Sequence, residues 1–473
     1  MVLYSFDFFL FFFFVFIVFW KLPKGFQLAV LLLASYYFYA SDRPAYLGII
    51  FLTTIINYFG GRALGRESLN KKIILFLTIF LDLSLLFVFK YLNFFDYTIS
   101  KVGGFELPQF QFLLPIGISF YTLQIIGYLI DVYRGTIKPE KNLGVFALFV
   151  CFFPQLTAGP IERAKRLLPQ LREKHVFNYE DVAAGSKLFL LGLFKKMAIA
   201  DNLAITVDRV FNSLPDYKGL SLLIAIVFYS WQIYMDFSGY TDMARGIAKM
   251  VGINLMENFN LPYFADSIQD FWRRWHISFS SWLRDYIYIP LGGSRKGFIW
   301  TLVNVIIVFA VSGLWHGAAW NFILWGTLYG LLMSVERIAK KIFGEKISLP
   351  RLVRIVYTYC VVSILWVFFR APTISDAFYI FRNIFVGIKN IINPDYIVAS
   401  LSHLFDFNTQ EAILVLGLLI IAISLDLLQR KMLPLDFLKK KNVVVRYAIY
   451  ALMLFMIIQL RNADIKEFIY TRF

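Results

Sequence analysis

The stretch that decides the fold of this chain begins with Phe271-Trp272-Arg273-Arg274-Trp275-His276 and ends at Gly326, shortly after Leu314-Trp315-His316-Gly317. It holds two of the chain's four histidines, 40 positions apart, in a sequence that is otherwise strongly apolar. An ionisable side chain inside a membrane-type sequence is by default a functional-site hypothesis. We therefore interpret most of the remaining chain as a scaffold around His276 and His316.

The composition indicates a membrane protein. Of the 473 residues, 59% are hydrophobic and only 16% are charged, whereas a soluble globule carries about 25% charged residues. The mean hydropathy is +0.65. We therefore predict an all-α polytopic membrane protein that forms a single integral-membrane domain over residues 1–473.

The net charge of +16 does not point to a nucleic-acid partner. The excess of basic residues lies in a few loops between apolar runs, as the positive-inside rule predicts, so the partner it indicates is the lipid bilayer. The two cysteines, Cys151 and Cys360, both lie inside apolar runs. Their spacing matches neither a disulfide framework nor a set of metal ligands, so we expect buried, inert thiols and no metal site.

Apolar runs close to the length of a membrane-spanning helix recur along the whole chain. Their approximate bounds are 3–20, 26–40, 45–59, 73–92, 112–133, 143–158, 186–200, 220–236, 298–315, 318–335, 353–369, 412–428 and 443–460. Several runs are short, so we expect some of them to be re-entrant. Pro154 and the pair Gly159-Pro160 interrupt one of them, and we predict that residues 143–160 enter the membrane and return to the same side.

The loop charges predict the orientation of the chain. Basic residues are concentrated in segments 60–72, 161–174, 336–354 and 429–446. Because basic loops are retained in the cytoplasm, all four segments should lie there. The chain is therefore predicted to be a multi-pass protein of the cell membrane with an extracellular N-terminus.

A segment of lower hydrophobicity, residues 259–297, surrounds His276. Ser267 and Asp270 resemble the start of a capped helix. After them, apolar and aromatic residues recur at helical spacing as far as Tyr286, which predicts one amphipathic helix lying in the membrane interface or wedged into a protein funnel. His276 falls at the edge of the apolar stripe. It is either a functional group or a structural histidine that bonds to a backbone carbonyl.

His316 lies inside an apolar run, with Ser312 and Trp320 predicted one turn away on the same helix face. Gly313 and Gly317, like Gly326 and Gly330, have the spacing of residues that let membrane helices approach closely. A neutral imidazole in such a crowded site can accept a proton from a hydroxyl group. A proton relay and a helix–helix hydrogen bond are the alternatives at this point, and no nucleophile-elbow motif is present.

Several motifs together resemble those of the membrane-bound O-acyltransferase family, in particular its bacterial branch of alginate O-acetyltransferases and teichoic-acid D-alanyl transferases. The matching residues are Tyr234–Asp242, Phe271–His276, Leu291-Gly292-Gly293, Leu314–Gly317 and Phe468-Ile469-Tyr470. The resemblance extends over nearly the whole chain. It implies about 11 transmembrane helices, with re-entrant and interfacial helices, around a central tunnel and a catalytic core at about 112–335.

The resemblance also implies site residues and substrates. The family's catalytic histidine corresponds to His316, and its second polar position, a histidine or an asparagine, corresponds to His276. Trp272, Arg273, Trp275 and Trp315 are expected to line the substrate site. The expected donor is a thioester that enters from the cytoplasm, either acetyl-CoA or a phosphopantetheine carrier, with no tightly bound cofactor.

The function expected from this resemblance is transfer of an acyl group, first of all acetyl, to a hydroxyl of an exported polysaccharide or cell-wall glycan. The group would pass directly or through a secreted or periplasmic acyltransferase partner. The alternative within the family is D-alanyl transfer from a carrier protein to teichoic acid. Alternatives outside it are a transporter for a glycan or lipid-linked sugar, which predicts paired inward charges and broken repeats, and a non-catalytic scaffold.

The orientation can be tested with single cysteines introduced by Ser5→Cys and Ser348→Cys in a chain whose native cysteines are replaced by alanine. Because the N-terminus is predicted to be outside, a membrane-impermeant thiol reagent should label position 5, and not position 348, in intact cells. Permeabilised cells provide the control, since both positions should then react. Labelling of position 348 alone in intact cells would reverse the predicted topology.

Overall fold

The computed structural model describes residues 1–67, 70–104, 113–344, 349–429, 438, 441–461 and 468–469. Helices form the regular secondary structure of these ranges, which confirms the predicted all-α class. The chain groups into two compact units: Met1–Phe189 with Thr241–Glu257, and Leu190–Tyr240 with Asn258–Phe473. The prediction of a single domain stays a prediction.

Most helices of the N-terminal part follow the apolar runs of the sequence. The helices are α1 (Phe6–Lys21), α2 (Gln27–Ala40), α3 (Leu47–Leu64), α4 (Lys71–Leu86), α5 (Leu92–Gly103), α6 (Ile118–Tyr133), α7 (Leu143–Cys151), α8 (Phe153–Leu156), α9 (Ala164–Arg172) and α10 (Tyr179–Leu193). As exceptions, α5 lies between two predicted runs and α9 lies in the basic segment 161–174. A π-helical turn, Phe87–Tyr91, joins α4 to α5.

The remaining helices belong to the part of the chain that contains the two histidines of interest. They are α11 (Asp201–Asn212), α12 (Leu220–Met250), α13 (Ile268–Arg274), α14 (Ile277–Leu283), α15 (Phe298–His316), α16 (Trp320–Phe343), α17 (Arg351–Arg370), α18 (Ile374–Asn383), α19 (Pro394–Leu404), α20 (Thr409–Gln429) and α21 (Val443–Gln459). Two boundaries between the compact units fall inside α10 and α12, and the third follows Glu257.

In the part of the chain that the structure describes, seven helices are long and apolar enough to cross a membrane. They are Pro44–Leu64, Lys71–Gly103, Leu220–Met250, Phe298–His316, Trp320–Phe343, Arg351–Arg370 and Thr409–Leu428. Shorter apolar helices, Ile118–Tyr133 and Val443–Gln459, add to them. This is a polytopic membrane protein, and the count of about 11 spans remains a prediction.

The segment predicted to enter the membrane and return is interrupted as its prolines indicate. Helix α7 has only nine residues, a length of about 14 Å at 1.5 Å per residue. A hydrocarbon core of about 30 Å needs roughly 20 residues, so α7 by itself does not span. The chain breaks at Phe152, and Pro154 lies in the first turn of the four-residue helix α8. The side on which this segment returns stays a prediction.

The structure describes part of the predicted cytoplasmic loop 336–354 and both cysteines. Residues 336–343 of the predicted cytoplasmic loop extend α16, and residues 345–348, with Ser348, lie outside the described residues. Cys151 is buried, as expected, but Cys360 is exposed. The prediction for Cys360 was therefore wrong, because an apolar run in a membrane protein supplies outward-facing as well as buried residues.

The closest helix packing of the second unit joins α15 to α16 through glycines, as their spacing predicts. A Cβ atom added to Gly326 would lie 2.1 Å from the carbonyl oxygen of Phe309, and one added to Gly313 would lie 2.2 Å from the carbonyl oxygen of Phe322. Any larger side chain would therefore push the backbones apart. Gly330 completes this contact, since its added Cβ would lie 2.7 Å from the Cα of Ile306.

The expected helical register around His316 was partly wrong. Helix α15 ends at His316, and Gly317 takes an extended conformation. Ser312 is indeed on α15, but Trp320 begins α16 and is 52% exposed. The turn between the two helices therefore separates Trp320 from the face that carries Ser312.

We predict that Gly326→Ala destabilises the protein, because its Cβ would collide with the backbone of α15. Overpacking of this kind costs about 1–3 kcal/mol of unfolding free energy, so the apparent melting temperature of the purified protein should fall. The matched control is Gly417→Ala in α20, where an added Cβ meets nothing within 4 Å. Equal melting temperatures for the two variants would contradict the close approach of α15 and α16.

Candidate active site

The first of the two histidines of interest, His276, lies at a break in the predicted amphipathic helix. The sequence predicted one helix through residues 268–286, but the structure has two, α13 and α14, with Trp275 and His276 between them. His276 has φ 45° and ψ 54°, which is the left-handed conformation. The prediction of a continuous helix was wrong. Hydrophobic periodicity indicates which helix face is buried, but it does not reveal a single residue with a left-handed backbone conformation.

Backbone hydrogen bonds with residues 258 and 260 stabilise the break between α13 and α14. The Asn260 N–H donates to the Arg274 carbonyl over 2.9 Å, and the Ile277 N–H donates to the Asn258 carbonyl over 3.0 Å. The buried Asn258 side chain also accepts from the Ser278 N–H at 3.2 Å. These contacts take up backbone groups that an uninterrupted helix would have satisfied itself.

Helix α13 is fixed at its other end by two caps. The Ser267 hydroxyl accepts from the Asp270 N–H at 3.1 Å, which confirms the helix start predicted from these residues. The Glu336 carboxylate of α16 accepts from the Ile268 N–H at 2.9 Å. A carboxylate at a helix N-terminus also opposes the helix dipole, so α16 fixes the position of α13.

The His276 side chain is completely buried, and does not lie at the boundary between the apolar stripe and a polar face as predicted. Its ring lies 4.8 Å from that of Phe237, edge to face at 88°, and 5.1 Å from that of Phe279. Burial disfavours the charged imidazolium and lowers the pKa of His276 to about 3. His276 is therefore neutral at physiological pH.

His316, at the C-terminus of α15, is also buried. Its ring lies 5.0 Å from Trp325 of α16, edge to face at 79°, and 5.6 Å from Phe369 of α17. The close packing of α15 on α16 is what brings Trp325 to this distance. Three successive helices thus surround the His316 imidazole with aromatic rings.

The structure brings the two histidines together. Their ring centroids are 6.5 Å apart, with the ring planes inclined at 49°. Phe279 is shared between them, since its ring lies 5.1 Å from His276 and 5.3 Å from His316. Two residues that are 40 positions apart in sequence therefore form one polar pair in an aromatic surrounding, which we call the histidine pair.

The predicted substrate-lining residues fall into three groups. Trp315 belongs to the histidine pair's immediate surroundings, 6.2 Å from His276 and 4.9 Å from His316. Trp272 and Trp275 lie one layer further out: Trp272 is 5.8 Å from Trp325, and Trp275 is 6.5 Å from Phe237. Arg273 is exposed. A role for these residues in substrate binding stays a prediction.

Sequence reasoning did not single out Phe237, Phe279, Trp325 or Phe369 as residues around the histidines. Phe237 lies in the quoted motif Tyr234–Asp242, and Phe279 follows His276 by three positions, so both could have been proposed as neighbours. Phe369 is contributed by α17, more than 50 positions after His316. Only the packing of helices reveals that contact.

Across the described ranges, no three His, Cys, Asp or Glu side chains lie close enough together to hold a metal ion.

A family model for the membrane-bound O-acyltransferase family matches residues 140–374, which include both histidines. The chain is 40% identical over 384 residues to the probable alginate O-acetylase AlgI of Azotobacter vinelandii, covering 80% of this chain and 76% of that protein.

Two further relatives are named for other acceptors or other acyl groups. Identity is 37% over 390 residues with the peptidoglycan O-acetyltransferase of Helicobacter pylori, covering 76% of this chain and 74% of the relative. It is 30% over 247 residues with the teichoic acid D-alanyltransferase of Bacillus subtilis, covering 50% of this chain and 62% of the relative. With its all-helical membrane fold and its match to the family model, the chain belongs to the membrane-bound O-acyltransferase family and is an O-acyltransferase.

Proposed function

We propose that this protein transfers an acetyl group from a cytoplasmic thioester to a hydroxyl group of an exported polysaccharide or cell-wall glycan, with His316 as the general base. The observation that carries the proposal is the buried histidine pair, 6.5 Å between ring centroids, in a chain of this family. Base catalysis needs a neutral imidazole in a site from which bulk water is excluded, and the aromatic surroundings supply that environment.

The proposed reaction is a direct displacement at the thioester carbon. His316 takes the proton of the acceptor hydroxyl while the oxygen attacks the acyl carbonyl carbon. The tetrahedral intermediate then collapses, the carbon–sulfur bond breaks, and the leaving thiolate recovers the proton from His316. The products are an O-acyl ester and a free thiol, and His316 returns to its neutral form.

The position of His316 suits a base that becomes charged during the reaction. It is the last residue of α15, where the unpaired carbonyl groups form the negative end of the helix dipole. Because that end of a helix stabilises a cation, it favours the transient imidazolium. The stabilisation is effective because the surrounding rings exclude water.

His276 has a different role in this proposal. Because burial keeps its imidazole neutral, it contributes one N–H donor and no charge. A donor fixed in place can orient the thioester carbonyl and stabilise the oxyanion that develops on it. His276 thus acts as a hydrogen-bond donor while His316 moves the proton.

Three tryptophans around the histidine pair offer further donors. The indole N–H groups of Trp272, Trp275 and Trp325 are buried, and none of them has an acceptor among the described residues. An unsatisfied buried N–H is costly unless a ligand supplies the acceptor. We therefore retain Trp272 and Trp275 as substrate-lining residues and add Trp325 to them.

Acetyl is favoured over D-alanyl by the extent of similarity. The two O-acetylating relatives named above match 76–80% of this chain at 37–40% identity, whereas the D-alanyltransferase of Bacillus subtilis matches half of it at 30%. Acetyl-CoA is accordingly the proposed donor, and a phosphopantetheine carrier is the alternative. A secreted acyltransferase partner that receives the acetyl group before the glycan does remains part of the proposal.

Replacement of His316 should abolish transfer without preventing insertion of the protein into the membrane. A positioned general base contributes about 10²–10⁴-fold in rate, so His316→Ala should lose activity by about that factor. His316→Gln should fail as well, because glutamine keeps hydrogen bonding and approximate size but cannot accept the proton. The measurement is the O-acyl ester content of cell-envelope polysaccharide at matched membrane abundance.

The control for the His316 variants is His403→Ala, which removes an exposed histidine whose ring contacts Tyr217. It should leave acylation unchanged. Acylation by His316→Gln at the level of the unsubstituted protein would show that His316 orients the substrate, and the assignment as base would then be withdrawn.

For His276, asparagine should be the best-tolerated replacement, because it keeps an N–H donor and adopts the left-handed conformation more readily than most other residues with a side chain. His276→Asn should retain more transfer activity than His276→Ala at equal protein amount. Alanine leaves a cavity, removes the donor and is strained at φ 45°. Initial transfer rates and melting temperatures of the purified variants test both parts.

The His276→Asn variant should also differ from the unsubstituted protein in how its stability depends on pH. The unfolded chain binds a proton to His276 below pH about 6.5, whereas the folded protein does so only near pH 3. Stability should therefore fall as the pH drops below about 6.5, and His276→Asn should reduce that slope. Identical slopes from pH 7.5 to 5 would contradict a buried, neutral His276.

A further inference from the structure

Two residues close to the C-terminus, Phe468 and Ile469, are held in the core beside a buried carboxylate. The Ile469 backbone N–H donates to the Asp236 carboxylate over 2.9 Å, and both residues are buried. Phe468, the preceding residue, lies 4.7 Å from Tyr240 and 5.7 Å from Phe237, measured between ring centroids. A segment more than 200 positions downstream is thus fixed against the middle of α12.

Asp236 belongs to an ion network that is itself buried. The Lys196 ammonium group, 1% exposed, lies 2.8 Å from a carboxylate oxygen of Asp236 and 2.8 Å from one of Asp201. Lys196 is part of a π-helical segment, Phe194–Ala200. Since the Asp236 oxygen that faces Lys196 is not the one that accepts from Ile469, the carboxylate bridges the ammonium group and the C-terminal segment.

A second contact holds the chain directly after α21. The Asn202 side-chain amide donates to the Leu460 carbonyl over 3.1 Å. Asn202 follows Asp201 directly and is also buried. One group of polar residues around the start of α11 therefore contacts the chain both at residue 460 and, through Asp236, at residue 469.

The Phe237 ring connects Phe468 to the histidine pair. Phe237 packs against Phe468 on the one hand and against the His276 imidazole, at 4.8 Å and 88°, on the other. An edge-to-face contact fixes the inclination of both rings. A shift of Phe468 would therefore reach His276 through Phe237.

A role in stability alone does not explain this arrangement well. A buried ion network contributes little net stability compared with apolar residues of the same volume. A hydrogen bond to a backbone N–H, in contrast, fixes the register of the bonded segment, because donor and acceptor must meet at about 2.9 Å. The buried network is therefore better suited to fixing the position of Ile469 than to stabilising the fold.

We propose that Asp236, held by Lys196, is a positioning residue of the acyltransferase: it anchors the C-terminal segment at Ile469, and the anchored Phe468 keeps Phe237 against His276. This inference rests on the proposed function of the histidine pair. It assigns to the last part of the chain a role in holding the donor side chain of His276 in its working orientation.

Docking of the segment can be measured without any assay of activity. Ile469→Cys keeps the backbone N–H, and Cys360→Ala removes the exposed native thiol, while the fully buried Cys151 serves as a slow internal reference. N-ethylmaleimide should modify the cysteine at position 469 slowly. Addition of Asp236→Ala should accelerate the modification several-fold, and Asp236→Asn, which keeps an oxygen acceptor, should accelerate it less.

The effect on catalysis is tested by removing only the donor of the anchoring hydrogen bond. Ile469→Pro lacks the backbone N–H, whereas the control Ile469→Val keeps it with nearly the same side chain. In the purified full chain, kcat of Ile469→Pro and Asp236→Ala should fall by about tenfold or more, since misplacement by about 1 Å can cost 10²-fold. Ile469→Val and Asp236→Asn should retain most of it. The melting temperature of Ile469→Pro should stay close to that of Ile469→Val, whereas that of Asp236→Ala should fall, because removal of one partner of a buried ion pair leaves the other charge poorly compensated.

Two results would overturn the proposal. One is equally slow modification of position 469 with and without Asp236→Ala. The other is that Asp236→Ala accelerates the modification while kcat of Ile469→Pro stays within about twofold of that of Ile469→Val. A twofold change is negligible beside the roughly 10²-fold cost of misplacement. If the unsubstituted protein showed no acyl transfer that depends on His316, the proposed function would fail, and the modification experiment would still decide whether Asp236 anchors the segment.

Discussion

A helix in a membrane protein can be interrupted only where other protein groups take over the backbone hydrogen bonds, because lipid offers none. The break between α13 and α14 depends on this constraint. Asn258 and Asn260 supply the missing partners, and His276 can therefore take a left-handed conformation that turns the chain. A residue held in such a conformation is a familiar feature of functional sites.

The environment of the histidine pair follows from how closely the helices approach. Gly313 and Gly326 let the backbones of α15 and α16 touch, which carries Trp325 to the edge of the His316 ring. Aromatic residues fill the remaining space with large apolar surfaces and little conformational freedom. Water exclusion keeps His276 neutral, and it also strengthens any hydrogen bond made to a reacting group.

The site is supported from two directions. Glu336 caps α13 from the side of α16, and Phe237 of α12 packs on the His276 ring. Phe237 is in turn covered by the anchored C-terminal segment, which Asp236 and Lys196 hold through buried polar contacts. A site that must keep two imidazoles in a defined relation benefits from such support, because rates depend steeply on geometry.

The amino-acid sequence by itself determined the class of protein, most helix positions, the glycine contact between α15 and α16, and the family, because these depend on composition, periodicity and local motifs. It did not determine the break at His276, the complete burial of that residue or the contribution of Phe369, and it predicted Cys360 on the wrong side of its helix. These features depend on hydrogen bonds and ring contacts between segments that are distant in the chain. Hydrophobic periodicity identifies a buried face, but only tertiary packing decides which residues meet there.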